Sequence, residues 1–153
     1  TIVEIGDADG LEAALQDAFP GATVETTVTA GRFELRFRQP GLLRPLAQAE
    51  LSDGTLRYLL LITALLTPRP PPLMVLNEPE TSLHPELLPP LGRLLRRYGE
   101  RHPIWVVTHA AALCETLGAT PGAVHLELDK DLGETFVADA DLFDGPAWKW
   151  PKR

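Results

Sequence analysis

The sequence predicts an α/β domain in which a parallel core sheet is flanked by helices and accompanied by an antiparallel hairpin. Two short apolar runs carry the parallel part: Leu73-Met74-Val75-Leu76 and Ile104-Trp105-Val106-Val107-Thr108. Between them Leu87, Leu88, Leu91, Leu94, Leu95 and Tyr98 recur at helical spacing. Strand, helix and strand in that order imply parallel strands joined by a crossover. The hairpin rests on Arg32 to Arg38, where Phe33, Leu35 and Phe37 alternate with Glu34, Arg36 and Arg38.

In chain order, Leu11 to Phe19 reads as a short helix stopped by Pro20-Gly21. Ala22 to Thr29 is the first strand of the hairpin, Ala30-Gly31 its turn, and Gln39-Pro40-Gly41 ends the second strand. Ser52 or Asp53 caps the next helix, because its side-chain oxygen can accept an otherwise orphaned backbone N–H. From Leu56 to Leu66 that helix is apolar on almost every side, which predicts burial all round. The proline run Pro68 to Pro72 makes an irregular connection. Both apolar runs are expected to be strands covered on both faces. Proline is comfortable only in the first turn, so Pro89 and Pro90 place the following helix start later than the start of its stripe. A helix from Ala110 to Leu117 closes at Gly118, and strands Ala123 to Leu128 and Glu134 to Ala138 flank a turn at Lys130 to Gly133. The tail Trp148 to Arg153 is basic and aromatic.

The totals exclude several classes. No apolar run reaches the roughly 18–20 residues that a membrane span needs. The start of the chain has no basic-then-apolar profile, so no signal peptide is expected. One cysteine, Cys114, is compatible with a reducing cytoplasm and is expected as a small core residue. A net charge of −7 argues against a stand-alone nucleic-acid binder. Arg93, Arg96, Arg97 and Arg101 form a local basic cluster, read as the solvated face of an amphipathic helix.

Ligands gather at the carboxyl ends of parallel strands. Glu78 lies just past one strand end and His109 just past the next, 31 positions on (109 − 78). Three segments line up in order: Leu51-Ser52-Asp53-Gly54-Thr55, then Leu73 through Asn77-Glu78-Pro79-Glu80-Thr81-Ser82-Leu83-His84-Pro85, then Val106-Val107-Thr108-His109. Here the chain resembles the ABC-type ATPases of the SMC- and RecF-like branch, often labelled AAA-family or OLD-like ATPases. In that branch Walker B commonly reads as four apolar residues, Asp-Glu-Pro-Glu, then Ser-Leu-His-Pro. The resemblance is strong from about Leu51 to Thr120 and weak on the flanks.

The resemblance implies the C-terminal part of a P-loop NTPase domain that binds and hydrolyses ATP with Mg²⁺ and dimerises around nucleotide. It gives Glu78 the role of orienting the attacking water and His109 that of the switch histidine at the γ-phosphate. Ser52, Asp53 and Gly54 fall in the signature loop, while Ser82 and His84 fall in the D-loop that crosses the dimer interface. Asn77 stands where the family carries an Asp that helps hold Mg²⁺; it keeps an oxygen but loses the charge. Each residue has a plainer alternative. Glu78 can be a surface glutamate in a turn, His109 a hydrogen-bonded structural residue, and Ser52 and His84 simple helix caps.

No Gly-x-x-x-x-Gly-Lys-[Ser/Thr] occurs, so the loop that cradles phosphates is absent from these 153 residues. The chain starts with Thr1 rather than Met, and truncation upstream of the signature loop would explain both features. Residues 1–153 are therefore expected as one partial ATPase domain. It would comprise a helix-and-hairpin region (1–50), a signature, Walker B and switch core (51–120), and terminal strands with a tail (121–153). The fragment alone is expected to be inert, and a DNA or protein partner would act through the regions not present. Two other readings stay open: a degenerate nucleotide-sensing or assembly module, motivated by Asn77, and a metal-dependent hydrolase using Glu78, Glu80, His84 and His109.

Overall fold

The computed structural model describes residues 6–29 and 31–138. Within it the chain forms two compact units, Thr1–Thr120 and Pro121–Arg153, taken separately below. The expectations for Thr1 to Glu4, Ala30 and Trp148 to Arg153 lie outside the described residues.

Helix α1 spans Ala8–Ala18, three residues earlier than its apolar pattern begins, because Asp7 supplies the cap and accepts from the Gly10 N–H at 2.7 Å. Gln16 then clasps the turn that follows, donating to the Ala22 carbonyl and accepting from Gly21 N–H, both at 2.8 Å. Strands β1 (Thr23–Thr29) and β2 (Arg32–Arg38) pair antiparallel over their whole length. A two-residue strand β3 (Leu46–Ala47), too short to signal itself in sequence, joins the far side of β2. Alternation in β2 holds, but its apolar face is buried at one end only: Phe37 is 1% exposed and Phe33 82%. Phe37 meets Phe19 edge-on at 5.5 Å, and Phe19 meets Tyr58 the same way at 5.6 Å. Edge-to-face pairs of this kind lock the hairpin base to two helices.

Helix α2 (Asp53–Leu65) buries Tyr58, Leu59, Leu61, Ile62 and Leu65. It is not buried all round as its composition predicts, since Leu60 is 69% exposed and Thr63 lies on the same open stripe. Strand β4 (Met74–Asn77) follows, then a 3₁₀ turn Pro85–Leu87 that leads into α3 (Leu88–Gly99). Pro89 and Pro90 fall in the first turn of α3, where a missing N–H does no harm. Helix α3 buries Leu91, Leu94, Leu95 and Tyr98 and contacts α1, α2 and α4 (Ala111–Gly118). Gly92 permits the close approach of α4: a Cβ there would lie 2.8 Å from Thr116 Cγ2.

Strand β5 (Ile104–Val107) pairs parallel with β4 in the register Met74 to Ile104 through Asn77 to Val107. Met74, Leu76, Ile104 and Val106 pack against the buried core. The opposite face is bare, which corrects the expectation of cover on both sides: Val75 and Trp105 are 59% and 58% exposed, with Val107 beside them. Among the described residues the helices pack on one face only. Cys114 is half-buried rather than a core residue.

Two members of the arginine cluster are not simply solvated. Arg93 makes a bidentate pair with Asp17 (2.8 and 2.7 Å), and Arg97 reaches Asp7 at 2.8 Å, so α3 is tied to both ends of α1. The second unit, among its described residues, holds an antiparallel hairpin of β6 (Leu128–Asp131) and β7 (Glu134–Val137). Its first strand starts five residues later than Ala123, because pairing with β7 sets the register and the turn contracts to Leu132-Gly133.

Tyr58 is buried to 0% exposure, and its hydroxyl has no hydrogen-bond partner among the described residues. Burial pushes its pKa above the ordinary tyrosine value. Removing an unsatisfied buried hydroxyl loses no hydrogen bond. Denaturant melts of Tyr58→Phe should therefore match or slightly exceed wild type, while Tyr58→Ala should lose about 3–5 kcal/mol.

Candidate functional site

The backbone at the carboxyl end of β4 is unusual. Glu78 has φ 46° and Ser82 φ 66°, left-handed values that non-glycine residues seldom adopt. Such strain persists only where the surroundings over-determine it, and here they do. Glu78 N–H donates to the Val107 carbonyl at 2.8 Å, while the Glu78 carbonyl accepts from Thr81 N–H and from the Arg57 guanidinium of α2, each at 3.1 Å. The Glu78 carboxylate is thereby aimed across the strand ends, where its Oε1 lies 3.0 Å from His109 Nε2. The parallel pairing thus brings together two residues separated by 31 positions. Both remain accessible, with the His109 side chain 81% and the Glu78 side chain 43% exposed. Asn77, the last residue of β4, is exposed beside them.

Glu80 is the member of this constellation that sequence reasoning missed. It entered only as a possible metal ligand, yet its Oε1 accepts from Thr108 Oγ1 (2.6 Å), His109 N–H (2.8 Å) and Ala110 N–H (3.3 Å). Oε2 is buried without a hydrogen-bond partner among the described residues. Burial pushes the Glu80 carboxyl up, but the donors from Thr108 and the backbone outweigh it together and leave it below the ordinary value. The group is therefore ionised at neutral pH. Its only advance signal was the second glutamate of the Glu-Pro-Glu run, facing a Thr-His pair at the next strand end.

The remaining expected residues gather on a second surface. Ser52 caps α2, its Oγ accepting from Thr55 N–H at 3.1 Å. His84 caps the 3₁₀ turn, its Nδ1 accepting from Glu86 N–H at 3.4 Å. Both plain capping roles are thus occupied. Ser52, Gly54, Ser82 and His84 also line one open cleft of about 700 Å³, whereas Asp53 does not line it. Gly54 is needed for a reason other than phosphate: a Cβ there would lie 2.6 Å from the Ser82 carbonyl oxygen. The helix start and the turn after β4 are therefore in direct backbone contact.

Metal ligation finds little support in this donor set. Among the described residues no three of His, Cys, Asp and Glu converge, and Glu80 faces the His109 backbone rather than His84. Asn77 offers a neutral oxygen, and the Glu78 carboxylate is already paired with His109. Magnesium takes near-octahedral oxygen coordination, so these residues do not hold it by themselves. Among the described residues no helix is long and apolar enough to cross a membrane.

With this geometry in view, the chain matches the family model described as "AAA domain, putative AbiEii toxin, Type IV TA system" over residues 4–116, and it belongs to that family. No curated protein matches it in sequence. Its fold is that of SMC ATPase heads. One similar structure belongs to work on ATP-driven dimerisation and DNA-stimulated activation of SMC ATPases (TM-score 0.66, 11% identity, 85% of this chain and 80% of that one). A second is an Smc head bound to the C-terminal winged-helix domain of ScpA (TM-score 0.68, 12% identity, 85% and 41%). A third is the SMC head domain from Thermotoga maritima (TM-score 0.57, 20% identity, 84% and 45%). The chain thus spans less than half of the second and third of these structures.

The Gly54 contact is open to test. Placing a methyl group on a backbone oxygen forces a shift that typically costs about 1–3 kcal/mol. Gly54→Ala should lower the denaturation midpoint accordingly, whereas Asp53→Ala, outside the contact, should have a smaller effect.

Proposed function

We propose that this chain carries the water-orienting half of an ABC-type ATPase site. In this reading Glu78 accepts a hydrogen bond from the attacking water, and His109 steadies that carboxylate while facing the γ-phosphate. The single observation that carries it is the 3.0 Å approach of Glu78 and His109 at the carboxyl ends of two adjacent parallel strands. ATP hydrolysis needs little covalent chemistry from the protein, and positioning dominates. A carboxylate on an over-determined turn suits that task, and its exposure suits a site completed by another surface.

Ser52 and Gly54 would present the start of α2, and Ser82 and His84 the adjoining turn, to an ATP bound by a second copy. Helix N-termini favour anions, and the shared cleft supports the idea that the two loops face one ligand. The phosphate cradle is not in these residues and would come from elsewhere in the protein. Magnesium, when bound with ATP, neutralises charge on the phosphates. Asn77 would contribute one neutral oxygen at most.

A second reading follows from Asn77 itself. With no anionic group at that position, the protein can serve as a nucleotide sensor or assembly platform that binds ATP and leaves it intact. Single-turnover measurements on the full-length protein separate the two, since a sensor retains unhydrolysed ATP. For the catalytic reading, Glu78→Gln in the full-length protein should reduce phosphate release by on the order of 10²-fold or more while retaining ATP binding. Undiminished turnover in that variant would sink it.

A further inference from the structure

We propose that Glu80 is a positioning residue for His109: a single carboxylate that fastens the loop after β5 to the turn after β4 and so sets the Glu78–His109 approach. The proposal rests on the ATPase reading of those two residues and adds a third to it. Glu80 sits two positions beyond Glu78 on the same strained turn, and its Oε1 gathers the Thr108 hydroxyl and the backbone N–H groups of His109 and Ala110. No other side chain among the described residues makes hydrogen bonds to the His109 backbone. Since the His109 ring is 81% exposed and has no packing to fix it, its position depends on where its backbone is held.

A charged acceptor suits this task better than an amide. Three donors converge on one oxygen, and hydrogen bonds to an ionised acceptor are roughly twice as strong as neutral ones. Glu80 Oε2 is also buried without a partner among the described residues, whereas a glutamate that only meets solvent would keep both oxygens in water. The plain structural alternative is that Glu80 staples the loop with no consequence for His109. The two differ in whether losing Glu80 matters once His109 is gone.

The test uses full-length protein carrying Glu80→Ala, Glu80→Gln, His109→Ala and the Glu80→Ala/His109→Ala pair. Misplacing a catalytic group by an ångström can cost about 10²-fold. Glu80→Ala should lower kcat by roughly that factor, leave KM for ATP within about twofold, and be only partly rescued by Glu80→Gln, whose neutral oxygen holds the same donors more weakly. In the His109→Ala background the same change should cost less than about threefold, because residues acting through one another are not additive. Factors that simply multiply in the double variant would overturn the proposal. Amide hydrogen exchange gives a readout independent of activity. Exchange at the His109 amide should accelerate in Glu80→Ala and less so in Glu80→Gln; unchanged exchange in Glu80→Ala also overturns the proposal. If Glu80→Ala does not fold, Thr108→Val removes one of the three donors and should show the same pattern more weakly. Should wild-type protein prove unable to hydrolyse ATP, the ATPase reading fails while the exchange measurement still decides whether Glu80 holds the loop.

Discussion

The parallel pairing of β4 with β5 is the constraint on which the rest of the structure depends. Two four-residue strands, held in register from Met74–Ile104 to Asn77–Val107, set their carboxyl ends side by side. The ladder continues one step beyond β4, where Glu78 N–H reaches the Val107 carbonyl. That step, with the bonds from Thr81 and Arg57 to the Glu78 carbonyl, holds the left-handed backbone from which the carboxylate crosses to His109. The packing of Met74, Leu76, Ile104 and Val106 against the helices anchors the pair, because two strands alone are marginal in water. Hydrophobic burial on one face therefore determines polar geometry at the edge.

Around this pair, three kinds of interaction divide the labour. Aromatic packing of Phe19, Phe37 and Tyr58 fixes the hairpin base and α2, and ion pairs from Arg93 and Arg97 hold α1 along α3. These pairs are 39–50% exposed at their side chains, so they orient α1 more than they stabilise it. Arg57 links the two levels, running from the packed α2 to the carbonyl of Glu78.

Much of this was legible in the residues. Alternation from Phe33 to Phe37, the stripe from Leu87 to Tyr98 and the two apolar runs each marked an element correctly, because each pattern is a local consequence of one buried face. The same patterns overstated burial. Val75, Trp105 and Phe33 are apolar enough to be read as core, but apolar character says what a residue could bury and not whether a partner is there. The motifs placed Glu78 and His109 at one edge, since topology alone brings strand ends together. Glu80 was assigned no part in the Glu78–His109 site: it stood only in the Glu-Pro-Glu run and in the alternative of a metal-dependent hydrolase, whereas its carboxylate is bonded to the loop after β5. Backbone strain such as that at Glu78 and Ser82 leaves no trace in composition. Strand β3 was missed for the opposite reason, as two residues are too few to carry a period.

The contact between Gly54 and the Ser82 carbonyl has a mechanical meaning as well as a steric one. An oxygen resting against a bare Cα acts as a stop: α2 cannot advance toward the turn after β4 without pushing that turn ahead of it. Arg57, which bonds the Glu78 carbonyl, joins the same two segments about one turn further along α2. The start of α2 therefore abuts the segment that bears Glu80, whose carboxylate in turn holds the His109 backbone.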